Sequence, residues 1–231
     1  FEQGLEDLVV EYLGVGQRKS AVAPGPQDTE RRRQLEETEQ RIKTALESGG
    51  TPSIALADDA ILTLELSREL ELPETDLRGR MGRAVAIADE FGSPRQRIEA
   101  RYQAGWTAFW WLERPQEVPP YYDELASAVA GTINARDLEL LTNLWFVLQG
   151  AATRGSLDPL TVDIDGKATQ LLQELERLAA EEARPSASLQ ARTLALHIKL
   201  SREGRDLESR EAVVNGLTAV VQESAGLVGY P

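Results

Sequence analysis

The sequence contains no cysteine and only one histidine among its 231 residues. Without cysteine there can be no disulfide, no thiolate metal ligand and no thiol nucleophile. The same absence is typical of proteins from a reducing compartment, so we predict a cytoplasmic location. No run of eighteen apolar residues occurs, so we expect no membrane-spanning helix. Because the first residue is Phe1 and the single methionine is Met81, we expect a piece of a longer protein with neighbouring domains.

Positive charge is also scarce. Lysine and arginine number 25 against 38 aspartates and glutamates, which leaves a net charge of −13. Nucleic acids and anionic membranes attract proteins through clustered positive charge, so neither is an expected partner. The one dense basic run, Arg31 to Arg33, is interleaved with acids.

Patterns for catalysis and metal binding are incomplete. His197 has no carboxylate three or four residues away on its helix, so it lacks the orienting partner of a general base. Asp163 and Asp165 suggest a calcium loop, but Thr161 and Leu172 stand where that loop needs acids. We therefore predict no catalytic residue, no metal site and no cofactor, and we expect Asp165 to cap the helix that follows it.

Hydrophobic spacing predicts helices throughout the chain, and no segment shows sustained two-residue alternation. We therefore predict an all-α fold. Residues 1–29 form an N-terminal lead-in segment and linker, with a short helix over 5–13, and residues 30–231 form a helical repeat domain. Asp28 or Thr29 is expected to cap the first helix of that domain. Predicted helices cover 30–48, 54–71, 74–91, 94–113, 121–133, 135–153, 165–183, 186–203 and 207–225.

These helices alternate between a more apolar and a more charged type, which indicates stacked pairs. Short matches recur along the chain: the segment 66–70 returns at 200–204, and Ala100-Arg101 returns at Ala191-Arg192. The offsets are close to multiples of 45 residues. The spacing predicts helix pairs repeated at about that interval.

One junction carries a family resemblance. The segment 84–92, AVAIADEFG, is followed by Ala100, by Ala104-Gly105-Trp106 and by Phe109. This pattern resembles the tetratricopeptide-repeat superfamily, in particular its longer-repeat branch in bacterial signalling ATPases and maltose-regulator-type sensor domains. The resemblance covers about 53–226 and implies an α-solenoid of antiparallel helix hairpins, wound as a right-handed superhelix. Leu196 stands where the small residue Gly105 stands.

The resemblance also implies a function. First helices of each pair would line a concave face that binds a partner protein or peptide, so we expect a non-catalytic scaffold or sensor module. Aligning the repeats on Gly105 places one set of residues on that face. The predicted partner-binding residues are Glu99, Tyr102, Trp106, Trp110, Asp59, Thr63, Thr193, His197 and Ser201.

Aromatic residues concentrate in the middle of the chain, where nine of the thirteen Phe, Trp and Tyr residues lie between Tyr102 and Phe146. Such a cluster is either a well-packed core or a binding surface, since tryptophan and tyrosine dominate protein interfaces. We expect most of the rings to be buried and one or two to reach the surface. An alternative function follows from the same cluster: a receptor for a small molecule or a signalling peptide, with an aromatic-lined pocket.

Overall fold

The computed structural model describes residues 26–47, 54–203 and 207–227, and within these ranges every regular element is helical. The all-α prediction is therefore confirmed for the described part of the chain, while the predicted helix over 5–13 lies outside it. A 3-10 turn spans Pro115–Glu117. The helices are α1 (Pro26–Glu47), α2 (Ile54–Glu69), α3 (Glu74–Phe91), α4 (Pro94–Trp110), α5 (Val118–Val129), α6 (Ala135–Thr153), α7 (Pro159–Val162), α8 (Ile164–Ala179), α9 (Pro185–Glu203) and α10 (Leu207–Ser224).

Helix α4 begins as the sequence predicts. Ser93 and Gln96 form a reciprocal capping box, in which the Ser93 amide donates to Gln96 Oε1 over 2.9 Å and the Gln96 amide donates to Ser93 Oγ over 3.3 Å. The helix ends at Trp110, three residues before the predicted end. Glu113 adopts a left-handed conformation with φ of 54°, and the Arg114 amide donates back to the Ala108 carbonyl over 2.8 Å. This turn satisfies the last carbonyls and closes the helix early.

Three predicted helix starts are wrong. Helix α1 begins at Pro26, so Asp28 lies inside its first turn and is not a cap. The helix dipole stabilises the negative charge of Asp28 at this end of the helix. Helix α5 begins at Val118 because Pro119 and Pro120 fit the first turn of a helix, whose amides need no internal acceptor. Asp163, not Asp165, caps α8: it adopts φ of 53° and its side chain accepts from the Gly166 amide.

Each long helix packs against its neighbours along the chain. A second set of contacts joins every other helix: α2 packs on α4, α4 on α6, and α6 on α9. We call these four helices the central row. They begin at residues 54, 94, 135 and 185, so the intervals are 40, 41 and 50 residues and not the uniform 45 that the sequence predicts.

The largest cluster of buried residues runs along the central row from α2 to α9. Trp145 lies at its centre with no exposed surface, and its indole N–H donates to the Ile164 carbonyl over 3.3 Å. Ala100 and Ala191, which the sequence pairs as repeat equivalents, are both fully buried. Two smaller clusters hold α1 against α2 and α3.

At Gly105, α4 lies very close to two of its neighbouring helices. A Cβ at this position would lie 3.1 Å from the Tyr121 Cβ on α5 and 3.2 Å from a Leu144 methyl on α6. Leu196, its predicted equivalent on α9, is accommodated differently, because it faces Gly216 of α10 at the matching contact. The small residue has moved to the opposite helix, so both pairs keep close contact.

Replacing Gly105 by leucine is expected to lower the free energy of unfolding by about 1–3 kcal/mol, because the added side chain overpacks the contact with Tyr121 and Leu144. Gly82 is the matched control, since it is exposed in the interior of α3 and a Cβ there would meet nothing within 4 Å. Gly82→Leu should raise stability by up to about 0.8 kcal/mol through helix propensity. Urea unfolding followed by circular dichroism measures both. Equal effects of the two substitutions would contradict the packing described for Gly105.

Candidate functional site

The central row leaves one strip of α4 and one strip of α6 open to solvent. On α4, Glu99, Trp106 and Trp110 are half-buried and fall at helical spacing on one side. The same pattern recurs 40 residues later on α6, where Glu139, Phe146 and Gly150 are half-buried. Because the two helices pack side by side, the strips form one surface. We call it the tryptophan face and define it by the residues Glu65, Glu99, Trp106, Trp110, Glu139, Asn143, Phe146 and His197.

Side-chain contacts tie this face together across the helices. Burial raises the pKa of Tyr102 on α4, and Asn143 of α6 lies close enough to the hydroxyl to oppose that rise. The Gln190 amide of α9 donates to Glu139 of α6 over 2.9 Å. Glu65 of α2 is close enough to Glu99 of α4 for their charges to interact. The face therefore spans all four helices of the central row.

The aromatic rings of α4 stack along the helix. Tyr102 and Trp106 have ring centroids 5.6 Å apart at 29°, and Trp106 and Trp110 follow at 5.6 Å. Phe109 meets Trp110 edge-on at 4.7 Å. Tyr102 is only 8% exposed, whereas both tryptophans keep part of their rings in solvent.

More rings of the central cluster reach the surface than the sequence predicts. Three are buried, namely Tyr102, Tyr122 and Trp145, and Trp111 is 40% exposed. The other five are half-buried. The reason is that α4 carries aromatic residues on more than one side, and its neighbours cover only part of its circumference.

Arg68 is a buried cation that the sequence pattern does not reveal. It is 8% exposed and donates to the Thr107 hydroxyl over 3.1 Å, and its guanidinium lies 4.9 Å from the centre of the Trp111 ring. The Trp111 indole N–H in turn donates to the Arg68 carbonyl over 3.2 Å. Burial lowers the pKa of Arg68, and Glu65 opposes that shift through space. These contacts fix α2 against α4 beneath the tryptophan face.

Glu65 lies in an unfavourable place for a carboxylate. Burial raises its pKa above the ordinary glutamate value; Arg68 opposes that rise, and repulsion from Glu99 and Glu69 adds to it. Glu69 is paired with Arg31 of α1 over 2.5 Å, so the negative charge that no ion pair among the described residues offsets is that of Glu65 and Glu99.

Two polar atoms under the face have no hydrogen-bond partner among the described residues. Gln103, 8% exposed, donates from Nε2 to Glu99 Oε1 over 2.8 Å, but its buried Oε1 accepts nothing. The indole N–H of Trp110 is likewise buried and unpaired. Buried polar groups are almost always satisfied in native proteins, so such atoms indicate where a bound partner can complete the hydrogen bonding.

The structure brings together some of the predicted partner-binding residues and separates others. Glu99, Trp106 and Trp110 share the tryptophan face, with Tyr102 beneath it. On α9, His197 and Ser201 are exposed, and Thr193 is half-buried with its hydroxyl donating to the Leu189 carbonyl over 2.9 Å. Partial burial lowers the pKa of His197.

The two predicted residues of α2 do not lie on this face. Thr63 is fully buried, with its hydroxyl donating to the Ala60 carbonyl over 2.8 Å. Asp59 accepts from Arg41 of α1, with Arg41 Nε 3.0 Å from Asp59 Oδ2. The alignment paired Trp106 with Thr63, an offset of 43 residues, which is three more than the interval of 40 residues between the starts of α2 and α4.

A cleft of about 610 Å³ opens between α1 and α3, away from the aromatic cluster. Two arginines on its wall, Arg80 and Arg83, share the carboxylate of Glu39 at 2.9 and 2.5 Å. No aromatic residue of the described ranges lines this cleft, so it is not the pocket of the alternative function. That aromatic-lined pocket stays a prediction.

The described ranges offer neither a metal cluster nor a membrane span. No group of three or more His, Asp or Glu residues in the described part of the chain is placed to bind a metal ion. Across residues 26–47, 54–203 and 207–227, no helix combines the length and the apolar character needed to cross a bilayer.

Comparison of the chain with protein-family models, with curated proteins and with solved structures returned no match. The resemblance to tetratricopeptide repeats therefore rests on the residues of the α3–α4 junction alone and stays a prediction.

Replacing Glu65 by glutamine is expected to stabilise the protein at pH 7. The pKa of Glu65 is higher in the folded chain than in the unfolded one, so folding favours the protonated carboxyl and the ionised form lowers the free energy of unfolding. The gain from Glu65→Gln should shrink as the pH falls through the raised pKa of the folded chain and should vanish below the ordinary value of 4.5, where the carboxyl is protonated in both states.

Urea unfolding at pH 7 and at pH 4 measures this difference. Glu90→Gln, at an exposed position of α3, is the control and should change stability by less than about 0.5 kcal/mol at either pH. A stabilisation by Glu65→Gln that grew on acidification would contradict the assigned environment.

Proposed function

We propose that this chain is a non-catalytic interaction module that binds a peptide segment of a partner protein on the tryptophan face. The observation that carries the proposal is the pair Trp106 and Trp110, whose ring centroids lie 5.6 Å apart at an interplanar angle of 54°. Both rings are partly open to solvent on a surface that four helices share. Tryptophan is the residue type most enriched at interface positions that dominate affinity. The unpaired Trp110 N–H adds a donor for a peptide carbonyl.

The proposed architecture is an α-solenoid of antiparallel helix hairpins, wound as a right-handed superhelix like that of tetratricopeptide repeats. Contacts between alternate helices of the central row support it, because such contacts join successive repeats of a solenoid. Intervals of 40 and 41 residues between the first three helices of the row support it as well. On this architecture the tryptophan face is the concave surface.

The composition supports a binding role over a catalytic one. The only histidine, His197, is exposed on α9, and the chain has no cysteine to act as nucleophile. We propose that the module works beside other domains of a longer cytoplasmic protein, as a scaffold or as a sensor that responds when its partner binds.

Selection of a random peptide library on the immobilised 231-residue chain, followed by fluorescence anisotropy with the recovered peptides, tests the proposal. We expect the double variant Trp106→Ala/Trp110→Ala to weaken peptide binding at least about tenfold, because each ring supplies contact area that alanine lacks. Its helical circular dichroism should match that of the unmodified chain.

The matched control is Val214→Ala/Val221→Ala, which trims two exposed apolar side chains of α10, 59% and 66% exposed. This variant should bind the peptides within about twofold of the unmodified chain. Failure to recover any peptide would contradict the proposal. So would a loss of binding confined to the α10 variant, which would place the partner on that helix.

A further inference from the structure

The tryptophan face has an excess of negative charge near α2 and α4. Glu65, Glu69 and Glu99 interact there through space, and among the described residues the only cation that acts on Glu65 is Arg68. Arg68 is buried beneath the face, donates to the Thr107 hydroxyl and lies over the Trp111 ring. Glu69 is paired with Arg31 of α1 over 2.5 Å, which leaves the buried Arg68 as the cation that acts on Glu65 and Glu99 among the described residues.

Further along the face, the balance is different. Glu139 of α6 is paired with Arg136 over 2.8 Å and also accepts from the Gln190 amide. The unbalanced charge is therefore local to the junction of α2 and α4, beside Trp106.

An independent observation at the same place points to a ligand that donates hydrogen bonds. Gln103 is more than nine-tenths buried, and its amide group is held at Glu99 by the 2.8 Å hydrogen bond from Nε2. Its Oε1 has no partner among the described residues. Exchanging the nitrogen and oxygen of this amide would set an oxygen against the Glu99 carboxylate, so the unpaired atom is an acceptor.

The ring of Trp106 completes the surroundings. It stacks on Tyr102, and part of it faces solvent. Tryptophan is the ring that best attracts an ammonium or guanidinium group over its face. A cation with several N–H donors can interact with all of these groups together. Its N–H groups can bind the carboxylates and the unpaired amide oxygen, and its charge can lie over the open indole ring.

We infer that the tryptophan face recognises a lysine or arginine side chain of the bound peptide. Glu99 and the Gln103 amide oxygen accept its N–H groups, Glu65 supplies further negative charge, and Trp106 covers its alkyl stem and cation. This inference rests on the proposed function and names the chemistry of its partner. It also gives Glu65 a reason to stay ionised in a place where burial and its neighbours disfavour the charge, since a bound cation stabilises the carboxylate.

The opposite assignment, an acidic peptide held by Arg68, is disfavoured by the same observations. Arg68 is only 8% exposed and already donates to Thr107 and to the Gln103 carbonyl. An incoming carboxylate would also be repelled by Glu65 and Glu99.

The test uses the full 231-residue chain and peptides recovered from the random library. We expect those peptides to be enriched in lysine or arginine beside a large apolar residue. Glu65→Gln/Glu99→Gln should weaken their binding about tenfold or more and reduce its dependence on salt, because two charges of the recognition site are lost. The control Glu90→Gln/Glu211→Gln makes the same change in net charge at exposed positions of α3 and α10 and should alter binding less than about twofold.

A second arm changes the peptide in place of the protein. Replacing its lysine or arginine by glutamine should weaken binding to the unmodified chain about tenfold, and should have little further effect on Glu65→Gln/Glu99→Gln. Additive losses in the two arms would show that the cation binds elsewhere and would overturn the inference.

The outcomes separate this inference from the proposed function. Recovery of neutral peptides that depend on Trp106 and Trp110 would overturn the cation site and leave the interaction role standing. Recovery of acidic peptides whose binding is lost in Arg68→Met would overturn it in favour of an anion site. If no peptide is recovered, the proposed function fails and this inference fails with it.

Discussion

The close approach at Gly105 determines what α4 can offer to a partner. Tyr121 and Leu144 come within 3.1 and 3.2 Å of the space that a side chain would occupy there, so α5 and α6 both lie directly against α4. Contacts with α2 and α3 cover the remaining sides, and only a narrow strip is left open. This strip is therefore the part of the helix that packing leaves free for function. It carries Trp106, Trp110 and Glu99, and Gln103 is buried beneath it.

The chemistry of that strip depends on what lies under it. Arg68 joins α2 to α4 through Thr107 and the Trp111 ring, which holds Glu65 close to Glu99. A buried arginine that forms no ion pair among the described residues costs solvation energy, and a carboxylate close to other carboxylates costs electrostatic energy. Both costs lie at one place, beside an amide oxygen that has no partner among the described residues. Groups held in unfavourable surroundings concentrate at binding sites more than elsewhere, which is why we place recognition here.

Much of the helical order was predictable because its signals are local. Ser93 and Pro94 mark the start of α4, and the predicted helices 74–91 and 135–153 coincide with α3 and α6 at both ends. The errors come from residues whose meaning depends on the backbone. Pro119 and Pro120 lie just before the predicted helix 121–133, yet they belong to the first turn of α5. Asp163 caps α8 from a left-handed conformation that nothing in the neighbouring sequence announces.

The candidate site was predictable on α4 and not on α2. The spacing of four residues between Trp106 and Trp110 is enough to predict that they lie on the same side of a helix. To align α2 with α4, the repeat length must be known to within one residue. The match between Ala100-Arg101 and Ala191-Arg192 relates α4 to α9 only and does not fix the alignment of α2. The assumed offset of 43 residues is three more than the interval between the starts of α2 and α4; it selected the buried Thr63, and the half-buried Glu65 was not predicted. Arg68 was missed for a different reason, because an arginine in a helix is ordinarily exposed and gives no sign that it is buried.

The most direct test of the account is nuclear magnetic resonance of the indole N–H groups of the four tryptophans while a selected peptide is added. Four signals can be assigned by single substitutions and followed separately. The account predicts that the signals of Trp106 and Trp110 move on binding, whereas that of Trp145, buried and bonded to the Ile164 carbonyl, stays in place. Peptide binding that left the Trp106 and Trp110 signals unchanged would contradict it.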